Sequence, residues 1–291
     1  MFHQQSFGTT HVLAATRCQL GEGPLWDARR QTLFWTDIER GEIFAWGETQ
    51  KCHSCIYQGE PVGGFTLEES GALVLFRVND ITLYDPDTGR MKKKPFADEG
   101  MSRFNDVTAD PLGRVFAGSI GKDDSSGGLF RFDPDGSNRL LFRGTGVSNG
   151  MGFSLDGHTF YWTCSTTGRI FAFDYDLENG ELSGRRVFYA CEPAEGVPDG
   201  LCVDDHDNVW SARWEGSCIA GHAAGDGRVF AKIQVPAARV TSCCFGGEGN
   251  DMMFITTART PDEQPTSIAG ALFGTRAASR GAPVFTSRLF T

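Results

Sequence analysis

Four short strings in the 291-residue chain set an oxygen-bearing side chain beside glycine or a short polar residue. They are Gly21-Glu22-Gly23-Pro24, Arg103-Phe104-Asn105-Asp106, Ser148-Asn149-Gly150 and Pro198-Asp199-Gly200. Asp and Asn next to Gly are turn formers, and any one of these strings alone reads that way. Brought to one point, Glu22, Asn105, Asn149 and Asp199 would make an all-oxygen cage of two carboxylates and two amides. Unpaired carboxylates repel in such a space, and a divalent cation would neutralise them. Hard oxygen donors suit Ca2+, Mg2+ or Mn2+ better than soft metals. The six His residues form no HxH or HExxH pair, which argues against a His-based zinc site.

A repeat is what would bring them together. An apolar run, a turn and a second, mostly Gly-led run recur along the chain. The first runs start at Leu33, Leu73, Val115, Phe160, Val209 and Met253, with gaps of 40, 42, 45, 49 and 44 residues. The second run of the fifth copy, near Ser217-Cys218-Ile219, is degenerate. A period in the forties with several strands per unit is the size of a four-stranded propeller blade. The connections carry the Pro, Asp and Gly of tight turns, as in Asp133-Pro134-Asp135-Gly136. No amphipathic helical stretch separates the runs, so an α/β fold is not expected. The expectation is an all-β chain, one six-bladed β-propeller domain over residues 1–291. The stretch around Val12-Leu13-Ala14 is expected to add an outer strand to the last blade and close the ring. Counting back 10 or 11 residues from each run start gives Glu22, Gly63, Asn105, Asn149, Asp199 and Ser242. Equivalent positions of successive blades converge on one mouth of the central channel, which is how the cage would assemble.

Composition bounds the rest. Lys+Arg number 27 against Asp+Glu 37, a net charge of −10, and an acidic chain is a poor nucleic-acid binder. No window approaches the ~18–20 apolar residues that span a bilayer. The N-terminus lacks a basic region followed by an apolar one. A soluble cytoplasmic protein, a monomer or weak homo-oligomer, is expected. The 9 Cys are an odd number, unlike most disulfide frameworks. Cys52 and Cys55 are a lone CxxC, and on a strand they would face opposite ways. Cys243-Cys244 reads as packing. Lys92-Lys93-Lys94 reads as a solvated turn. Gly144 to Gly150 has the wrong spacing for a dinucleotide loop, and no GxSxG elbow is present.

At the polar strings the sequence resembles the SMP-30/gluconolactonase/luciferin-regenerating family. The matching strings are Leu20-Gly21-Glu22-Gly23-Pro24-Leu25-Trp26, Arg103-Phe104-Asn105-Asp106, Ser148-Asn149-Gly150, Val197 to Asp204 and Thr241 to Gly247, in family order. The resemblance implies a six-bladed propeller with one divalent ion, of Ca2+, Zn2+, Mn2+, Fe2+ or Mg2+, near the top of the channel. It implies Glu22, Asn149 and Asp199 as the metal ligands, with Arg103 and Asn105 facing substrate. Where the family often has a Glu reaching the sugar, this chain has the shorter Asp123. Where many members have an Asp, it has Cys164.

The reaction implied is hydrolysis of a sugar lactone to an aldonic acid. A metal can polarise the carbonyl and lower the pKa of water, and Asp199 is placed to take a proton as general base. Arg103 can donate paired hydrogen bonds to ring hydroxyls or the developing carboxylate; its alternative is an ion pair with Asp106. Two other readings remain open: a metal-dependent phosphotriesterase-like hydrolase, and a non-enzymatic metal-binding propeller.

Overall fold

The computed structural model describes residues 8–260, 262–264 and 266–290. A first strand, β1 (His11–Ala14), precedes six four-stranded antiparallel sheets. Blade 1 is β2 (Gly21–Asp27), β3 (Thr32–Asp37), β4 (Glu42–Gly47) and β5 (Cys52–Gln58). Blade 2 is β6 (Val62–Leu67), β7 (Leu73–Arg77), β8 (Asp80–Tyr84) and β9 (Met91–Pro95). Blade 3 is β10 (Met101–Ala109), β11 (Val115–Gly121), β12 (Gly127–Phe132) and β13 (Asn138–Thr145). Blade 4 is β14 (Ser148–Phe153), β15 (Thr159–Cys164), β16 (Arg169–Asp176) and β17 (Glu181–Ala190). Blade 5 is β18 (Val197–Val203), β19 (Val209–Trp214), β20 (Cys218–His222) and β21 (Val229–Gln234). Blade 6 is β22 (Arg239–Gly246), β23 (Met252–Ala258) and β24 (Leu272–Arg276), and β1 supplies its fourth strand. Among the described residues the only helical pieces are two 3-10 turns, Ser165–Thr167 and Pro193–Glu195, and no helix is long and apolar enough to cross a membrane. The chain is a six-bladed β-propeller.

The apolar runs found in the sequence are the second strands, sandwiched between neighbouring blades. In β7, Leu73 and Leu75 pack on Phe34, Ile43 and Tyr57 of blade 1. The alternate residues Val74 and Phe76 pack on Phe104, Val115 and Phe130 of blade 3. Side chains alternate faces along a strand, and here both faces are buried, so the run is continuously apolar. The ring closes as expected: β1 pairs with β24 through His11↔Gly274 and Val12↔Phe273. The degenerate fifth copy forms β20. One expectation fails. Lys92, Lys93 and Lys94 lie in the exposed edge strand β9, not in a turn. Lysines there discourage another strand from adding to the edge.

Two features position the site. Every innermost strand breaks register near its start: between Glu22 and Leu25, Val62 and Gly64, Phe104 and Val107, Ser148 and Met151, Pro198 and Leu201, and Val240 and Ser242. A bulge re-aims the side chains it carries. Neighbouring inner strands also touch there. A Cβ on Gly63 would stand 1.9 Å from the Phe104 carbonyl oxygen. At the equivalent position blade 2 therefore offers no side chain to the cage.

The last residues form a strap across the far ends of the inner strands. Gly281 N–H donates to the Asn250 carbonyl at 2.9 Å, and Ala282 N–H to that of Val203 at 3.0 Å. Further on, Ser287 N–H reaches the Leu67 carbonyl at 2.7 Å and Arg288 N–H that of Gly113 at 3.0 Å. Buried Glu68 accepts from the Ser287 hydroxyl at 2.6 Å and from Phe290 N–H at 2.7 Å.

Candidate metal centre

Glu22, Asn105, Asn149 and Asp199 are all buried near the starting ends of β2, β10, β14 and β18. A directional chain of hydrogen bonds joins three of these blades. Arg103 donates to Asn105 Oδ1 at 2.7 Å and to the Phe104 carbonyl at 3.0 Å. Asn105 Nδ2 donates to Asn149 Oδ1 at 2.9 Å and to the Ser148 carbonyl at 2.7 Å. Asn149 Nδ2 donates to Ser165 Oγ at 2.9 Å, and that hydroxyl donates to the Pro198 carbonyl at 2.7 Å. Guanidinium can only donate and a carbonyl can only accept, so both ends are pinned and neither amide is free to flip. Asn149 thus turns its oxygen toward Asn105 and keeps a second lone pair for another partner.

The carboxylates have far fewer donors. Asp199 Oδ1 is buried with no hydrogen-bond partner. Glu22 accepts from Gly23 N–H at 3.1 Å. Burial pushes the Glu22 carboxyl well above its ordinary range, and the charges of Asp199 and Asp106 push it further. Burial, then Asp106, do the same to Asp199. Burial lifts Asp106 to about 7, opposed by Arg103. Such a set of buried, mutually repelling acids and an orphaned oxygen fits a divalent cation. The acids are not clenched together. Among the described residues the one trio of His, Cys, Asp or Glu donors within 4.8 Å is Asp204, Asp205 and His206. In that trio Asp204 is already satisfied by Asn208 and Trp210, as a turn anchor. A cation in the cage therefore needs the amide oxygens as well as the carboxylates.

Asp106 is the residue that sequence reasoning undervalued, weighing it only as an ion-pair partner for Arg103. Among the described residues Arg103 makes no ion pair; its guanidinium holds Asn105 and otherwise feels Glu22, Glu39, Asp106 and Asp199. Asp106 sits in the bulge with a left-handed φ of 52°, uncommon for a residue with a side chain. Simple alternation would point it away from Asn105. Asp123 goes the other way. Expected to face substrate, it is exposed, and its carboxylate accepts from Ser125 N–H at 2.9 Å and Ser125 Oγ at 2.8 Å. Those bonds hold its carboxyl below its ordinary range. Cys164 is buried against the Thr145 hydroxyl, 3.1 Å away.

An axial cavity of about 440 Å3 extends from the cage to the strap. It touches the acidic end through Gly23, Asp106 and Ser242 and is elsewhere walled mostly by groups such as Leu25, Phe65, Met151 and Phe285, with Thr66, Ser154 and Asp156 among them. This space is mostly apolar; Arg103, at the starting ends of the strands, marks the more polar side.

Fold and site together define a class: a closed six-bladed propeller with a buried, acid-rich, oxygen-lined pocket at one end of its axis. The chain belongs to the SMP-30/Gluconolactonase/LRE-like family, whose sequence profile matches residues 20–259. It is 37% identical over 280 residues to pentonolactonase XacC of Haloferax volcanii, covering 94% of this chain and 96% of that one. It is 31% identical over 249 residues to regucalcin of Xenopus laevis, covering 82% and 83%. Among solved structures, a calcium-binding protein, regucalcin, from Agrobacterium tumefaciens matches with a TM-score of 0.87 at 22% identity, covering 98% of each chain. At that identity the likeness speaks for the fold.

Proposed function

We propose that this protein is a lactonase that opens a sugar lactone to the aldonic acid, with one divalent cation held by Glu22, Asn149 and Asp199. The lactonase class is supported by family membership and by the pentonolactonase that shares 37% of its residues. The observation that carries the site is the buried, unpartnered Asp199 Oδ1 among repelling acids. A bound divalent cation polarises an ester carbonyl and makes water more acidic. Asp199 accepts the proton of the attacking water, its carboxylate kept ionised for that role by a cation bound beside it. Asn105 holds Asn149 in register. Arg103, with one side committed to Asn105, offers its remaining N–H groups to ring hydroxyls and to the carboxylate that forms. Asp106 keeps negative potential at the cage.

Pentonolactones are the first substrates to try, by the name of that relative, and Ca2+ the first ion, by the description of the regucalcin structure. The test is a pH-stat assay with pentono- and hexonolactones and an aryl phosphotriester, with and without chelator. Lactone hydrolysis lost in chelator and restored by a divalent ion is expected. Hydrolysis indifferent to chelator removes the metal from the mechanism. Turnover of the phosphotriester alone favours phosphorus chemistry, and turnover of neither favours a binding propeller.

A further inference from the structure

Below the cage, two thiols meet across the seam between blades 5 and 6. Cys202 lies three residues after Asp199 on β18, and Cys243 follows Ser242 on β22. They are 41 positions apart in sequence, yet their sulfurs are 3.5 Å apart. The backbones themselves converge here: a Cβ on Gly200 would stand 2.8 Å from Ser242 Cα. The contact therefore does not depend on two side chains happening to lean together. Strand alternation also selects the partner. Cys243 packs with Trp210 and Ile255, on the blade 5 side. Cys244 points the other way, into the cluster of Trp26 and Phe254. Both Cys202 and Cys243 border the axial cavity of about 440 Å3, which has room for a small polar oxidant. No step proposed for lactone hydrolysis uses either thiol.

We infer that Cys202 and Cys243 are an oxidisable dithiol, which a small peroxide converts to a disulfide joining the inner strands of blades 5 and 6 beneath Asp199. One sulfur attacks the peroxide O–O bond, becoming a sulfenic acid and releasing water. The second sulfur attacks the first, the S–S bond forms, and the sulfenic oxygen leaves as water. Two thiols and one hydrogen peroxide thus give one disulfide and two waters, with two electrons passing from sulfur to peroxide. An S–S bond of ~2.0 Å requires the sulfurs, now 3.5 Å apart, to close by about 1.5 Å. Burial pushes the Cys202 thiol well above its ordinary range, so the reaction is slower than at exposed Cys52 and Cys55.

The test uses the full chain with Cys52→Ser and Cys55→Ser to silence the exposed pair. Hydrogen peroxide treatment, alkylation without reduction, digestion and mass spectrometry are expected to give one peptide pair linked through Cys202 and Cys243. Thiol titration in denaturant should fall by two and recover with dithiothreitol. Cys202→Ala and, separately, Cys243→Ala should each abolish the linked pair. The inference is overturned if both residues remain alkylatable, if either goes to sulfinic acid with no linked peptide, or if Cys202 pairs with Cys244. None of these readouts uses lactone turnover, so the outcome is independent of the proposed activity.

Discussion

Replacing Asp199 by Asn keeps its shape and an oxygen donor but removes its charge and basicity. At saturating metal, Asp199→Asn should lower kcat by roughly 10²-fold or more if it takes the proton from water. Arg103→Ala, also at saturating metal because Arg103 pins Asn105 and through it Asn149, should instead raise KM or lower kcat/KM. A wild-type kcat in metal-saturated Asp199→Asn would leave Asp199 a purely structural part. Ser165 acts through Asn149, by holding its Nδ2 and fixing which end of the amide faces inward. Ser165→Ala should weaken binding of the ion by about tenfold or more, as loss of a ligand's supporting hydrogen bond commonly does, with Ser165→Thr restoring it. Calorimetric titration of the metal-free protein reads this without any substrate. The raised carboxyls also set a pH dependence. Asp106 ordinarily titrates near 3.8 and here near 7, so between those values the folded, metal-free chain holds more protons than the unfolded one. The stability that Asp106 contributes is therefore full below about pH 4 and is lost as pH climbs through 7; Glu22 and Asp199 act in the same sense. Thermal melts in chelator should give a lower midpoint at pH 8 than at pH 5, and added divalent ion should raise the pH 8 midpoint most. Glu22, Asn105, Asn149 and Asp199 were legible because they recur at one phase of a repeat. Asp106 was not, because its direction depends on a local φ.

The second strands of the blades were legible for a simple reason: both of their faces are covered, so they read as unbroken apolar runs. Outer strands such as β9, with five exposed residues, carry no such signal, and Lys92 to Lys94 passed for a turn. The bulges left no mark either, since a register slip depends on the partner strand rather than on local composition. The glycines are where sequence and bulge meet. Gly63 looked like a failed copy of the cage residue, but it is the position that lets blade 3 approach. Gly63→Ala would drive a methyl into the Phe104 carbonyl, and the strands would have to part. Overpacking of this kind costs about 1–3 kcal/mol, read as a lower denaturant midpoint. Because Asn105 follows Phe104, affinity for the ion should fall as well. A variant with normal stability and normal metal affinity would mean that the seam between blades 2 and 3 accommodates a methyl group.

Across the molecule, the strap does what no pair of neighbouring blades can do, since it links blade 6 and blade 5 to blades 2 and 3 directly. Ending the chain after Gly281 strips Ser287 and Phe290 from buried Glu68 and uncovers the packing of Phe285 and Leu289. At ~2–4 °C per kcal/mol for a chain of this size, the melting midpoint should drop by roughly 5–15 °C. Metal bound per folded molecule should stay the same, because the cage lies at the other end of the axis; a loss of metal would tie the strap to the site. The pairing of β1 with β24 has a different consequence, felt during synthesis. Trp26 and Trp46 of blade 1 rest on Phe254 of blade 6, with centroids 5.5 and 5.6 Å away. More than two hundred residues separate those partners. At roughly 5–20 residues per second, a ribosome needs about 10–50 s to make that stretch. Throughout that interval the nascent chain carries an uncovered tryptophan face and an unmatched first strand, so its exposure to chaperones and to aggregation is set by elongation speed.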